Sequence, residues 1–100
     1  MLSEQEVNAR LTALFIDVLR VPAARVTPTA RLFDDLGAES LDLLDIRFRI
    51  EQEFGFQTTD EEFMKALGVV ESAEQFRALI TPEHIQAYVM YRISTPDPVQ

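Results

Sequence analysis

A chain of 100 residues with 47% hydrophobic and 26% charged side chains has the composition of one folded domain; it has no cysteine, which excludes disulfide scaffolds, cysteine-ligated metal centres and cysteine nucleophiles. Its single histidine leaves no multi-histidine metal site, and seventeen acids against nine bases give a net charge of −8, which disfavours nucleic acid and anionic lipid and favours basic protein surfaces. The amino terminus is acidic where a secretory signal is basic, and no apolar run approaches the ~20 residues of a membrane helix, so a cytoplasmic protein without a membrane span is expected.

The first helix is announced by Ser3-x-x-Glu6, a capping-box pattern ahead of a 3.6-period stripe of Val7, Leu11, Leu14 and Val18 with Phe15 alongside, and it should end near Arg20. Pro22 and Pro28 hold residues 21 to 31 in a non-helical connection, which Leu32, Phe33 and Leu36 should pin to the core before Gly37 ends it. A second helix begins around Ser40. At ~100° per residue, Leu43, Ile46, Ile50 and Phe54 share one arc suited to the core. Leu41, Leu44 and Phe48 form a second apolar stripe on another face, bordered by Asp45, Glu51 and, farther round, Asp42.

Gly55 closes that helix. Thr59-Asp60-Glu61-Glu62 opens a short third one through Phe63, Ala66 and Leu67 to Gly68, and Ser72-x-x-Gln75 opens another brief segment with Phe76 and Leu79. The last helix starts at Thr81, with Pro82 at its first helical position and Ile85, Tyr88, Val89 and Ile93 on one side; His84, in its first turn, reads as a surface residue. The expected fold is all-α: a small four-helix-type bundle with a long first loop and one extra short helical segment before the last helix. Residues 1–94 make this single domain and 95–100 a disordered tail.

Ser40 follows a glycine-bearing turn at a helix amino terminus, where free amide donors and the helix dipole favour a negative group, a bound phosphate or a phosphodiester on the serine itself. A serine there also serves simply as a cap or first-turn residue. Nucleophilic catalysis has no support, because His84 lies on a different helix with no orienting group. Calcium binding has none either, since no run alternates oxygen ligands around a central glycine, and no metal site is expected.

The stretch Asp35-Leu36-Gly37-Ala38-Glu39-Ser40-Leu41 resembles the acyl carrier proteins, whose pattern around the modified serine is Asp-Leu-Gly-x-Asp-Ser-Leu. The likeness runs well from about Leu32 to Phe56, loosely through the first helix and poorly between residues 57 and 80. It implies that a phosphopantetheinyl transferase moves 4'-phosphopantetheine from coenzyme A onto the Ser40 hydroxyl, giving a chain without cysteine a thiol-ended arm for acyl thioesters. The protein itself would be a non-catalytic, monomeric carrier. It would deliver acyl intermediates to acyl-loading, condensing and acyltransferase enzymes of fatty acid, specialised lipid or polyketide biosynthesis. By the same resemblance Leu41, Leu44 and Phe48 fall on partner-contacting positions, and Asp35, Glu39, Asp42, Asp45, Glu51 and Glu53 on acidic positions that meet basic patches. The acyl pocket falls to Leu43, Ile46, Arg47, Ile50 and Phe54. Two other readings stand beside this one: an unmodified, acidic protein-interaction subunit of the same fold, and a peptidyl or aminoacyl carrier.

Three features depart from the family pattern. Glu39 stands where aspartate is commoner, and Arg47 and Arg49 bring positive charge to a helix usually poor in it. Arg47 falls inside the core arc, so it either buries its stem and snorkels, or pairs with an acid one turn away, or narrows or polarises the acyl cavity. Residues 57–80, with Phe63, Met64, Leu67, Val69, Val70, Phe76 and Leu79, exceed what a minimal carrier needs. They form either an enlarged local core or a remodelled third-helix region, similar to that of specialised carriers of dedicated lipid pathways.

Overall fold

The computed structural model describes residues 2–65 and 72–94. Among them the chain is all helical: α1 spans Glu4–Leu19, α2 Ser40–Phe54, α3 Asp60–Lys65, α4 Ala73–Leu79 and α5 Pro82–Ser94. The expected Ala66, Leu67, Gly68, Val69, Val70 and the tail 95–100 lie outside the described residues.

Local chemistry sets most of the boundaries. Glu6 N–H donates to Ser3 Oγ at 3.1 Å and Ser3 N–H donates to the Glu6 carboxylate at 2.9 Å, closing the capping box that starts α1. The Ser3 N–H bond to the carboxylate first, and the Ser3 side chain second, hold the Glu6 carboxyl below the usual carboxylate range. Arg20 ends the helix in the left-handed region at φ 58°, a cap that favours glycine. Gly55 ends α2 at φ 80°, where it pays no such penalty. Thr59 and Glu62 cap α3 reciprocally, Glu62 N–H to Thr59 Oγ1 at 3.2 Å and Thr59 N–H to Glu62 at 3.1 Å, while Ser72 Oγ accepts from Gln75 N–H at 3.1 Å to start α4.

The α1–α2 connection is more structured than its prolines suggest. A 3-10 turn covers Ala23–Arg25, where Arg25 N–H donates to the Pro22 carbonyl at 2.9 Å. Leu32 and Leu36 are buried and Phe33 is half-buried, in keeping with their role as anchors. The loop is also bonded through its backbone to the α4–α5 junction: Leu32 N–H reaches the Ile80 carbonyl at 3.0 Å and Glu83 N–H the Pro28 carbonyl at 3.1 Å.

One core joins the elements. Val7, Leu11, Leu14 and Phe15 of α1 meet Leu32 and Ala38 of the loop, Ile46 and Ile50 of α2, Phe63 of α3, Phe76 of α4, and Ile85, Tyr88 and Val89 of α5. Leu43, Phe54, Val18 and Ile93 pack on its edge, half-buried. In α4 Phe76 is buried while Leu79 is exposed, so of these two apolar residues only Phe76 adds to the core. His84 is a correction, half-buried rather than a surface residue, its Nδ1 accepting Thr81 N–H at 3.2 Å and lying 2.8 Å from Thr81 Oγ1.

Candidate functional site around Ser40

Gly37, at φ 76°, turns the chain so that Glu39 can take an extended conformation and Ser40 can begin α2. Ser40 is therefore the first helical residue, with Glu39 in the cap position. Asp42 N–H and Leu43 N–H both bond the Glu39 carbonyl, at 2.9 and 3.1 Å, and the Asp42 carboxylate accepts Glu39 N–H at 2.9 Å. The N–H groups of Ser40 and Leu41 have no carbonyl within the helix to bond, so two donors and the positive helix end stand beside an exposed serine. Among the described residues its hydroxyl makes no hydrogen bond.

The two apolar stripes of α2 separate as the helical period dictates. Ile46 and Ile50 are closed off entirely in the core, while Leu41 is 77% exposed, Phe48 49% and Leu44 39%. The exposed three run along the face that begins at Ser40.

The acids are less free than their number suggests. Asp35 accepts Arg31 N–H at 2.8 Å while its carbonyl accepts from Arg25 at 2.6 Å, and Glu51 accepts Thr58 N–H at 2.8 Å. Asp45 pairs with Arg49 at 3.3 Å, and Arg49 also binds Asp17 of α1, whose carboxylate is the main cause of a guanidinium pKa above its ordinary value. Glu53 pairs with Arg10 at 2.9 Å. It borders a polar cleft of about 620 Å³ between α1 and α2, with Asp17 and Arg49, and so sits round the helix from Leu41 and Phe48. Among the described residues there is no group of three or more side chains placed to hold a metal ion, and no helix is long and apolar enough to cross a membrane.

A groove of about 370 Å³ opens beside Ser40. Ser40, Leu41, Leu43 and Leu44 form one side of it, Asp60 and Met64 of α3 a second, and Ala73, Phe76 and Arg77 of α4 the third. Of the residues assigned to an acyl pocket by resemblance, Leu43 alone lines this groove. Ile46 and Ile50 belong to the closed core, Phe54 packs at its far end, and Arg47 reaches away to Thr58 and Asp60. The α3 and α4 walls were out of reach of any single-helix reading; the signals that could have found them are the Thr59 and Ser72 caps, which set two short helices after α2 with Phe76 turned inward.

A phosphopantetheine attachment site family model matches residues 9–76. The acyl carrier protein of Thermotoga maritima is 38% identical over 65 residues, 65% of this chain and 80% of its own. That of Solidesulfovibrio magneticus is 43% identical over 56 residues, 56% of this chain and 72% of its own. A third, from Nitratidesulfovibrio vulgaris, is 38% identical over 63 residues, 63% of this chain and 83% of its own. With a family match over residues 9–76, which hold the exposed Ser40 at the start of α2, and a relative at 38% identity covered to 80% of its length, the chain belongs to the acyl carrier protein family.

Proposed function

We propose that Ser40 is the attachment residue for 4'-phosphopantetheine, and that the chain is a non-catalytic carrier loaded from coenzyme A by a phosphopantetheinyl transferase. The observation that carries this reading is the setting of Ser40: an exposed hydroxyl, unengaged among the described residues, on the first turn of α2, opening onto an apolar groove. The residues fit the group. Two first-turn N–H donors and the helix dipole face the place a phosphodiester would take, and Leu41, largely exposed, does not close it off. When attached, the arm supplies a thiol on which acyl groups are held as thioesters.

The chain's own residues present and shelter. Leu43, Leu44, Met64 and Phe76 offer an apolar surface next to Ser40 that removes hydrocarbon from water, at ~25 cal/mol per Å² covered. Leu41, Leu44 and Phe48 offer an apolar contact surface to acyl-loading, condensing and acyltransferase enzymes. Asp35, Glu39, Asp42, Asp45, Glu51 and Glu53 give α2 and its approach an acidic field that steers basic patches and weakens with salt.

Incubation with coenzyme A, magnesium and a broad-range phosphopantetheinyl transferase, followed by intact-protein mass, tests the assignment. The native chain gains one phosphopantetheine and Ser40→Ala gains none. No added mass on the native chain, or equal modification of Ser40→Ala, overturns it.

A further inference from the structure

Arg47 occupies a position that the apolar arc of α2 would fill with a hydrophobic residue, and its side chain is only 16% exposed. Its Nη1 donates to the Thr58 carbonyl at 3.0 Å. Its Nε lies 3.2 Å from Asp60 Oδ1, an ion-pair contact whose angle makes no hydrogen bond, and its guanidinium sits 5.2 Å from the centre of the Phe48 ring. Asp60 is the first residue of α3, and Thr58 lies just before it in the α2–α3 connection. Stability alone gives no reason for this arrangement, because an apolar side chain of similar volume serves a nearly buried site as well as a partly satisfied cation does.

α3 has six residues, far too few to be stable without tertiary support. Phe63 enters the core, Glu62 binds Arg92 at 3.0 Å and Thr58 binds Tyr88, so one side is tied to α5. On the α2 side, Arg47 grips the first turn through Asp60. Asp60 and Met64 are the α3 wall of the groove beside Ser40, whereas Arg47 does not line that groove. We infer that Arg47 is a positioning residue: it clamps the start of α3 onto α2 and thereby sets the width of the groove that opens at Ser40. Because the Asp60 partner is 81% exposed, this contact can break and reform without exposing the core. The consequence for cargo rests on the reading of Ser40 given above; the clamp itself does not.

The first experiment uses the unmodified chain and amide hydrogen exchange. Arg47→Met should raise exchange at the α3 amides about tenfold, the scale expected for one lost hydrogen bond to a charged group, and leave α1 and α5 amides unchanged. Arg47→Lys should recover part of the protection, since it keeps a charge for Asp60 but not the planar fork. Asp60→Asn, a change at an exposed side chain that leaves folding intact, should loosen α3 in the same direction. Arg10→Met, which breaks the pair with Glu53 on the other side of α2, should not affect α3. Native-like α3 exchange in Arg47→Met overturns the inference, and so does loosening spread equally over α1 and α5, which makes Arg47 an ordinary packing residue.

The second experiment loads the arm with either an acetyl or a long saturated acyl group and follows thioester cleavage by hydroxylamine. Arg47→Met should speed cleavage of the long-chain form several-fold relative to the acetyl form, and Arg47→Lys should restore the ratio in part. An unchanged ratio removes the groove from the inference. If no arm can be attached at all, the Ser40 reading fails, while the exchange experiment still decides the clamp.

Discussion

Tyr88 allows the polar link between α5 and the α2–α3 connection to be measured. Its hydroxyl lies 2.5 Å from Thr58 Oγ1 and accepts a hydrogen bond from Arg92 Nη1 at 2.7 Å, and both Tyr88 and Thr58 are buried. Tyr88→Phe removes this oxygen and nothing else. The ring stays edge-on to Phe56 at 6.0 Å and tilted against Phe63 at 5.5 Å. Arg92 retains Glu62 at 3.0 Å, but Thr58 Oγ1 is left with a long contact to the Thr59 carbonyl at 3.5 Å. A buried hydroxyl deprived of its good partner, together with a lost charge-assisted bond, should cost about 1.5–2 kcal/mol. For a domain of this size that lowers Tm by about 6–16 °C. Thr58→Val should cost a similar amount. The double variant should cost less than the two single costs added together, by about 1 kcal/mol, since neither partner is then stranded. Thermal melts of the four proteins provide the measurement. A Tm for Tyr88→Phe within about 1 °C of native, or strict additivity in the cycle, refutes the reasoning.

Two further outcomes follow from the geometry. Because the Ser3 bonds depress the Glu6 pKa, that carboxylate contributes stability above the ordinary glutamate range, and the contribution is lost as pH falls through the lowered value. Thermal melts across that range should show the gap between native and Glu6→Gln present at neutral pH and closing in acid; a gap independent of pH counts against it. Leu41→Ser, at a side chain 77% exposed, should leave Tm within about 3 °C of native yet raise KM about tenfold for a partner enzyme acting on the loaded carrier. Equal kinetics with native protein would show that Leu41 lies outside the docking surface.

The boundaries that were legible in the sequence are the ones written in neighbouring residues. Ser3 with Glu6, Gly55, and Pro82 at the start of α5 act within one turn, so their chemistry does not depend on the rest of the fold. The split of α2 into a core side and an exposed side follows from the helical period, and Ile46 and Phe48 obey it. What stayed hidden is what spans distance in the chain. Glu53 finds Arg10 across 43 residues, and two walls of the groove come from Asp60, Met64, Phe76 and Arg77, so of the expected pocket residues on α2 only Leu43 lies beside Ser40, while Leu41 and Leu44, expected on the partner face, line the groove as well. Arg47 misled for a related reason: angular position fixes where a side chain leaves the helix, but a long flexible stem decides where its charge ends up.

The engagement of the α2 acids bears on how long a partner stays. A lysine arriving at Asp45 meets a carboxylate already shared with Arg49, and one arriving at Glu53 meets Arg10. Docking there exchanges one ion pair for another, and the surplus per contact falls below the ~1 kcal/mol that a fresh surface pair would supply. The approach is still hastened by the long-range field of the ten acids between Asp34 and Glu62, which does not depend on who holds each one locally. On the proposed carrier reading, fast arrival and little to hold the complex together would give short dwell times. A carrier that visits one enzyme after another, as proposed for this chain, would need release as much as capture, and the pairs of Arg10 and Arg49 would supply the competition that makes release quick.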